Sequence, residues 1–375
     1  MRRKLTVALA GLVTSFGLAA CGSDLGGGGR EGDVETAEAE GEPSGELFVS
    51  NWPFYIDRQT LPTFEKETGV SVEYKEDVND NNEFFAKVRP ALQEGEAEGR
   101  DIFVVTDWMA EKMYNLGYLQ NFDQDAVAPA MENLTPSLES PSFDPERAYS
   151  LPWQGGMTGL IVNKDKAPDI TAIEDIFDPK YKGEIEVLTE MRDTVPLVMK
   201  SMGVEVEDAT TEDWLAAIDK LKAAVDSGQI VDFTGNDYTA DLARGDVSAV
   251  IGWSGDAVQL QADNPAIEWR MPEEGCILWS DNMVIPVGAP NPTAAYEFMN
   301  YVYEPENQAQ IADYNYYVTP VAGTQEVLEK QGSEAAESDL VFPSEEFTSE
   351  CSTQPNPPAE GEEEIERAFQ EILAG

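Results

Sequence analysis

Val250-Ile251-Gly252-Trp253-Ser254-Gly255-Asp256 and Gly275-Cys276-Ile277-Leu278-Trp279-Ser280-Asp281 are the two segments on which the reading of this chain turns. Each holds a short apolar run that predicts a buried strand. Each then presents a Trp followed two or three residues later by an Asp. The face of a Trp ring attracts a desolvated ammonium, and an adjacent carboxylate supplies the counter-charge. Two such pairs meeting in one cleft make a site for a small organic cation. Two core tryptophans and two turn aspartates would read the same way, and these segments alone leave that open.

Working outward, other strands end in the same kind of cluster. Leu47-Phe48-Val49-Ser50 is β-rich and runs into Asn51-Trp52-Pro53-Phe54-Tyr55. Pro53 stops the strand, so Trp52 and Tyr55 fall on a loop at a strand's carboxyl end, where open α/β sheets bind ligands. Ile102 to Val105 predicts a strand that ends in Thr106-Asp107-Trp108. Ile185 to Leu188 leads into Thr189-Glu190-Met191-Arg192-Asp193. Glu190 and Asp193 are three apart at a helix start, so they share a face and favour the positive end of the dipole, whether or not they also bind a ligand. Tyr314 to Pro320 is another aromatic loop.

Helices are predicted at Leu61–Thr68, Met109–Leu116, Tyr238–Arg244, Ala294–Val302 and Ile365–Leu373. The clearest is Thr210–Asp226, with Thr210 as N-cap, Asp213 three residues on, and Leu215, Ile218, Leu221 and Val225 on one face. Pro90 interrupts a helical pattern after Asn82, and the chain reads as irregular from Gly117 to Asp144. Strands and helices alternate, which predicts α/β domains with mostly parallel sheets. The Pro152 region is the first candidate crossing between domains.

A chain of 375 residues suggests two domains at roughly 100–200 residues each. Its 24 Lys plus Arg stand against 72 Asp plus Glu, with no His, for a net charge of −48. That balance argues against a nucleic-acid partner, which needs a basic face. It favours cationic ligands, although a solvated acidic surface explains the bulk charge equally well. The absence of His removes His-based triads and His-ligated metals. No P-loop or dinucleotide fingerprint is present. The expectation is a binding protein with no cofactor, no metal and no enzymatic activity. A carboxylate-pair glycoside hydrolase built on Glu190 and Asp193 is the enzymatic alternative.

Residues 1–20 read as a signal peptide: Met1-Arg2-Arg3-Lys4 is basic and Leu5 to Ala20 apolar. Leu18-Ala19-Ala20-Cys21-Gly22 resembles the bacterial lipobox, which makes Cys21 a lipidation site. Residues 21–46 then read as the lipidated Cys and a flexible tether, with Gly26-Gly27-Gly28-Gly29 and few large apolar residues. The expected location is extracytoplasmic, held to the cell membrane by a lipid. Cys276 and Cys351 remain; two thiols in an oxidising compartment can form a disulfide, and the sequence does not say whether they meet.

Taken in order, the lipobox, Asn51-Trp52-Pro53-Phe54-Tyr55, Val104-Val105-Thr106-Asp107-Trp108, Gly252-Trp253-Ser254-Gly255-Asp256, Trp279-Ser280-Asp281 and Tyr317-Val318-Thr319-Pro320 resemble the spermidine/putrescine-binding proteins of bacterial ABC importers. The resemblance runs from Leu47 to about Thr324. It implies a two-lobed periplasmic-binding-protein fold of type II with hinge crossings, lobe 1 being 47–152 plus 280–322 and lobe 2 being 153–279 plus 323–375. It implies a monomer that captures a polyamine and delivers it to the permease subunits of an ABC transporter. Residue by residue, it implies aromatic walls from Trp52, Tyr55, Trp108, Trp253, Trp279 and Tyr317, a hydroxyl contact from Thr106, and carboxylates from Glu190, Asp193, Asp256 and Asp281. Pro53 and Phe54 depart from the hydroxyl and acidic residues of the family; Asp107 is the candidate replacement. The family's late Gln contact has no clear counterpart within Val341 to Gln354. Another small solute, a sugar or a ferric ion held by Tyr314, Tyr316 and Tyr317, is the alternative ligand.

Overall fold

The computed structural model describes residues 34–374; the expected signal peptide and Cys21 lie outside them. The first described residues correct the expected tether. Thr36–Ala37 forms strand β1, pairing in parallel with Asn121–Phe122 (β5). Ala37 is buried, its carbonyl accepts from the Tyr296 hydroxyl, and the Ala39 amide donates to Asp123. Small residues suit this docking, because a polar, Ala-rich segment can still satisfy its backbone on a neighbour. The stretch 34–46 is therefore docked on the body.

The main sheet is built from β2 (Glu46–Asn51), β3 (Ser71–Glu76), β4 (Ile102–Thr106), β6 (Leu151–Asn163), β7 (Ile185–Leu188), β8 (Ile230–Thr234), β9 (Ala249–Trp253), β10 (Ile267–Arg270), β11 (Ile277–Val284) and β12 (Ser352–Thr353). Its order is β3-β2-β4-β11-β6-β9-β7-β8, with β10 on β6 and β12 on β11. Pairing is parallel within β3-β2-β4 and within β9-β7-β8, and antiparallel around β11 and β6. Two parallel α/β halves thus flank two long antiparallel strands. Pro152 does not break the chain there: Leu151–Asn163 is one continuous strand, and Leu151, Pro152 and Trp153 belong to it. A third segment joins the crossing where Gly155 and Val318 exchange backbone hydrogen bonds at 2.9 and 2.8 Å.

Helices cover the sheet. Those that matter for the site are α1 (Asn81–Gln93), α2 (Asp107–Asn115), α3 (Met191–Ser201), α4 (Tyr238–Arg244) and α5 (Ser254–Asp263). Pro90 lies inside α1 on its exposed side and does not end it. The stretch expected to be irregular contains a helix, Gln124–Glu132, capped by the Asp123 carboxylate on the amides of Asp125 and Ala126. Thr210 and Asp213 form the expected capping box. Cys276 and Cys351 are disulfide-bonded. Among the described residues no helix is long and apolar enough to cross a membrane.

Candidate functional site

The strand ends converge. β4 finishes at Thr106, which lies opposite Asp281 of β11 in the pairing register. Trp279 and Asp281 are two apart on β11, so both point to the same face. That face is free for Trp279 because its neighbour across the ladder is Gly156; a Cβ on Gly156 would lie 2.4 Å from the Trp279 ring. Opposite, β7 ends at Leu188 and α3 starts just after Glu190, which brings Glu190 and Asp193 to one side of the helix start as expected. Trp253 closes β9.

Together these elements enclose a slot lined by Trp52, Pro53, Tyr55, Asn81, Thr106, Glu190, Asp193, Asn236, Trp253, Trp279, Asp281, Tyr317 and Gln354. Its free volume, part of it open to solvent, is about 360 Å³. Its aromatic wall is continuous: Trp52 meets Trp253 at 5.7 Å between ring centroids, Trp253 meets Trp279 at 6.5 Å, Trp279 meets Tyr317 at 5.5 Å, and Tyr317 meets Tyr55 at 4.9 Å. These separations are those of favourable edge-to-face and tilted pairs.

Three carboxylates face the slot, with no Lys or Arg among its lining residues. Asp281 accepts from the Tyr55 hydroxyl at 3.0 Å and the Thr106 hydroxyl at 2.9 Å. Glu190 accepts from the Asn81 amide at 2.6 Å and the Asn81 side chain at 2.9 Å. Asp193 accepts from the Trp253 indole at 3.1 Å and from Gln354 at 2.9 Å. Asn81 also donates to Thr106 at 2.8 Å, so Asp281, Thr106, Asn81 and Glu190 form one hydrogen-bonded chain. Burial raises all three carboxyls: Asp281 to about 7, Asp193 to about 6, and Glu190 well above its usual range, where the charge of Asp80 adds to the burial. The hydrogen bonds only partly offset this. A cation placed among them would favour the ionised form of each.

Nine of the twelve expected ligand residues line the slot: Trp52, Tyr55, Thr106, Glu190, Asp193, Trp253, Trp279, Asp281 and Tyr317. Three do not. Trp253 is followed at once by helix α5, which carries Asp256 behind the wall. There Asp256 accepts from the hydroxyls of Tyr317 and Tyr238, each at 2.7 Å, and from Asn236 at 3.0 Å. Asp107 opens α2 and accepts from Asn282 at 2.6 Å, so it does not stand in for Pro53 and Phe54. The Trp108 ring is covered by the Arg192 guanidinium at 3.9 Å. That cation is itself buried and paired with Glu362 at 2.9 Å.

The lining also contains Asn81, Asn236 and Gln354, none of which the sequence singled out. Gln354 falls at the end of the stretch Val341 to Gln354, in which the sequence left the family's Gln contact without a clear counterpart, and it lines the slot. It arrives through β12, which pairs with β11 directly after the disulfide, and its amide donates to the Leu278 carbonyl at 2.7 Å.

Comparisons with known proteins bear out the fold. The family described as bacterial extracellular solute-binding protein matches residues 59–338, and the chain belongs to it. The spermidine/putrescine-binding periplasmic protein of Escherichia coli is 27% identical over 311 residues, 82% of this chain and 86% of its own length. The putrescine-binding periplasmic protein PotF of Escherichia coli is 30% identical over 303 residues, covering 72% and 76%. The solved structure of the spermidine/putrescine ABC transporter substrate-binding protein PotD from Streptococcus pneumoniae aligns with a TM-score of 0.69 at 26% identity, covering 88% of this chain and 98% of that one.

Proposed function

We propose, from a solute-binding family member with this slot, that the chain captures a polyamine, putrescine or spermidine, and delivers it to the permease of an ABC importer without chemically changing it. The observation that carries the reading is the slot itself: three buried carboxylates and a continuous aromatic wall, with no basic lining residue. A polyamine is a thin methylene chain bearing ammonium groups at intervals. The aromatic rings receive the methylenes and the carboxylates receive the charges. Exclusion of water strengthens both interactions.

The two lobes of this receptor are 47–152 with 280–322, and 153–279 with 323–375. The strand order supports the division, with β2, β3 and β4 on one side of the crossing and β7, β8 and β9 on the other. Capture is a hinge closure about β6, β11 and the strand segment at Val318. Cys21 carries the lipid that keeps the receptor, a monomer, at the outer face of the cell membrane.

Calorimetric titration with putrescine, spermidine and spermine, at low and high salt, tests the reading. Tight one-to-one binding that survives salt is expected. Weak, multi-site binding abolished by salt would mean that only the acidic surface attracts polyamines, and would overturn it.

A further inference from the structure

Asn236 lies in the turn between β8 and α4, and is 94% buried by its 6% exposure. Its side-chain amide nitrogen donates to Asp256 at 3.0 Å. A carboxylate accepts hydrogen bonds, so this contact fixes which way the amide points. The other end, Oδ1, is buried and has no hydrogen-bond partner. Three buried polar atoms of the slot residues lack partners: the indole nitrogens of Trp52 and Trp279, and Asn236 Oδ1. Only the last is an acceptor. Leaving a buried acceptor unpaired is costly, and a ligand N–H recovers that cost.

The backbone of Asn236 faces the other way. Its amide donates to Asn79 Oδ1 at 3.1 Å, and Asn79 Nδ2 donates to Asp237 at 3.2 Å. Asn79 precedes α1 on the first half of the chain, whereas Asn236 follows β8 on the second. Gly235 lets the two loops meet: a Cβ there would lie 2.2 Å from the Asn79 carbonyl oxygen. One residue thus lines the slot with its side chain and joins the contact between the two loops with its backbone.

Resting on the polyamine reading, we propose that Asn236 is a specificity-determining ligand contact. Its Oδ1 accepts an N–H from an ammonium or secondary amine of the bound polyamine, and its backbone couples that contact to the clasp with Asn79. An ammonium has three N–H donors, and a neutral acceptor satisfies one of them without adding charge to a slot already crowded with carboxylates.

The test uses calorimetry and stopped-flow tryptophan fluorescence on the purified full chain and its Asn236→Ala, Asn236→Ser and Asn79→Ala variants. The ligands are the polyamine that the wild type prefers and its fully N-methylated quaternary analogue, which has no N–H to donate. Both Asn236 variants weaken the polyamine about tenfold or more, as expected for a hydrogen bond to a charged donor. Their preference for it over the quaternary analogue falls by about the same factor. Asn236→Ser keeps a donor for Asp256 and so guards against simple loosening of that network. Asn79→Ala keeps the preference and speeds dissociation. An unchanged preference ratio in both Asn236 variants overturns the inference, because mere structural damage weakens both ligands alike. A wild type that binds no polyamine overturns the functional reading first and this inference with it.

Discussion

The Tyr55 hydroxyl donates to Asp281 Oδ2 at 3.0 Å across a separation of 226 residues, and Asp281 has no basic partner in the slot. Phenol and carboxylate come from the first and last thirds of the chain to make one half of a cation site. Asp281→Asn keeps the shape and removes the charge. It is expected to weaken polyamine binding by about 2–5 kcal/mol, as for one partner of a buried charge pair. Tyr55→Phe is expected to cost about 1 kcal/mol. Calorimetry on both variants checks the order.

Affinity for the polyamine is expected to rise from pH 5 to pH 8. Burial holds Asp193 up to about 6 and Asp281 up to about 7, so acid protonates the groups that receive the ligand. In the ligand-free protein the linkage has the opposite consequence. Their folded values lie above the unfolded value near 3.9, so the folded state takes up protons between those limits. Their contribution to stability is full below about pH 4 and is lost as the pH rises through about 6 to 7. Thermal melts of free and saturated protein across this range should diverge as the pH rises.

Trp108 and Trp279 should separate stability from binding. Trp108 is 6% exposed, seats Arg192 and does not line the slot. Trp108→Ala is expected to cost about 3–5 kcal/mol of stability and change affinity only a few-fold. Trp279→Ala is expected to lose binding at least tenfold with a smaller loss of stability. Equal binding defects in the two variants would contradict the arrangement.

Gly156→Ala adds one carbon directly against the Trp279 ring. With the new Cβ 2.4 Å from its ring, Trp279 must leave its position. Binding is expected to fall about as far as in Trp279→Ala, and thermal stability to fall as well. Near-UV circular dichroism would report the displaced indole.

Replacing Cys276 and Cys351 with Ser opens a link between residues 75 apart in the chain. The loss expected from chain entropy is about 4 kcal/mol. Because β12 and Gln354 follow Cys351 directly, affinity should fall too, through the loosened contact to Asp193. A binding defect of similar size in Gln354→Ala would trace the effect to that side chain.

Much of the site could be read from residues that end strands, because the apolar run and the polar-aromatic cluster lie side by side in sequence. Thr106, Trp253, Trp279 and Asp281 are of this kind. Glu190 and Asp193 were legible from helix spacing. Asp256 and Trp108 look identical to these in sequence, and only the immediate start of α5 and the seat of Arg192 turn them to other work. Asn81, Asn236 and Gln354 had no local signal: they sit at a helix start, in a polar turn and in an irregular tail, and the slot acquires them through long-range contacts. The docked stretch 34–46 was missed because composition reports how much apolar surface a segment can bury, and β1 is held mainly by backbone hydrogen bonds.

The Cys276–Cys351 bond ties the last lining residue, Gln354, to the rest of the slot. A reducing environment removes that bond. The completeness of the binding wall is thus tied to redox state: with the bond open, Gln354 keeps only the short β12–β11 pairing to hold it against Asp193.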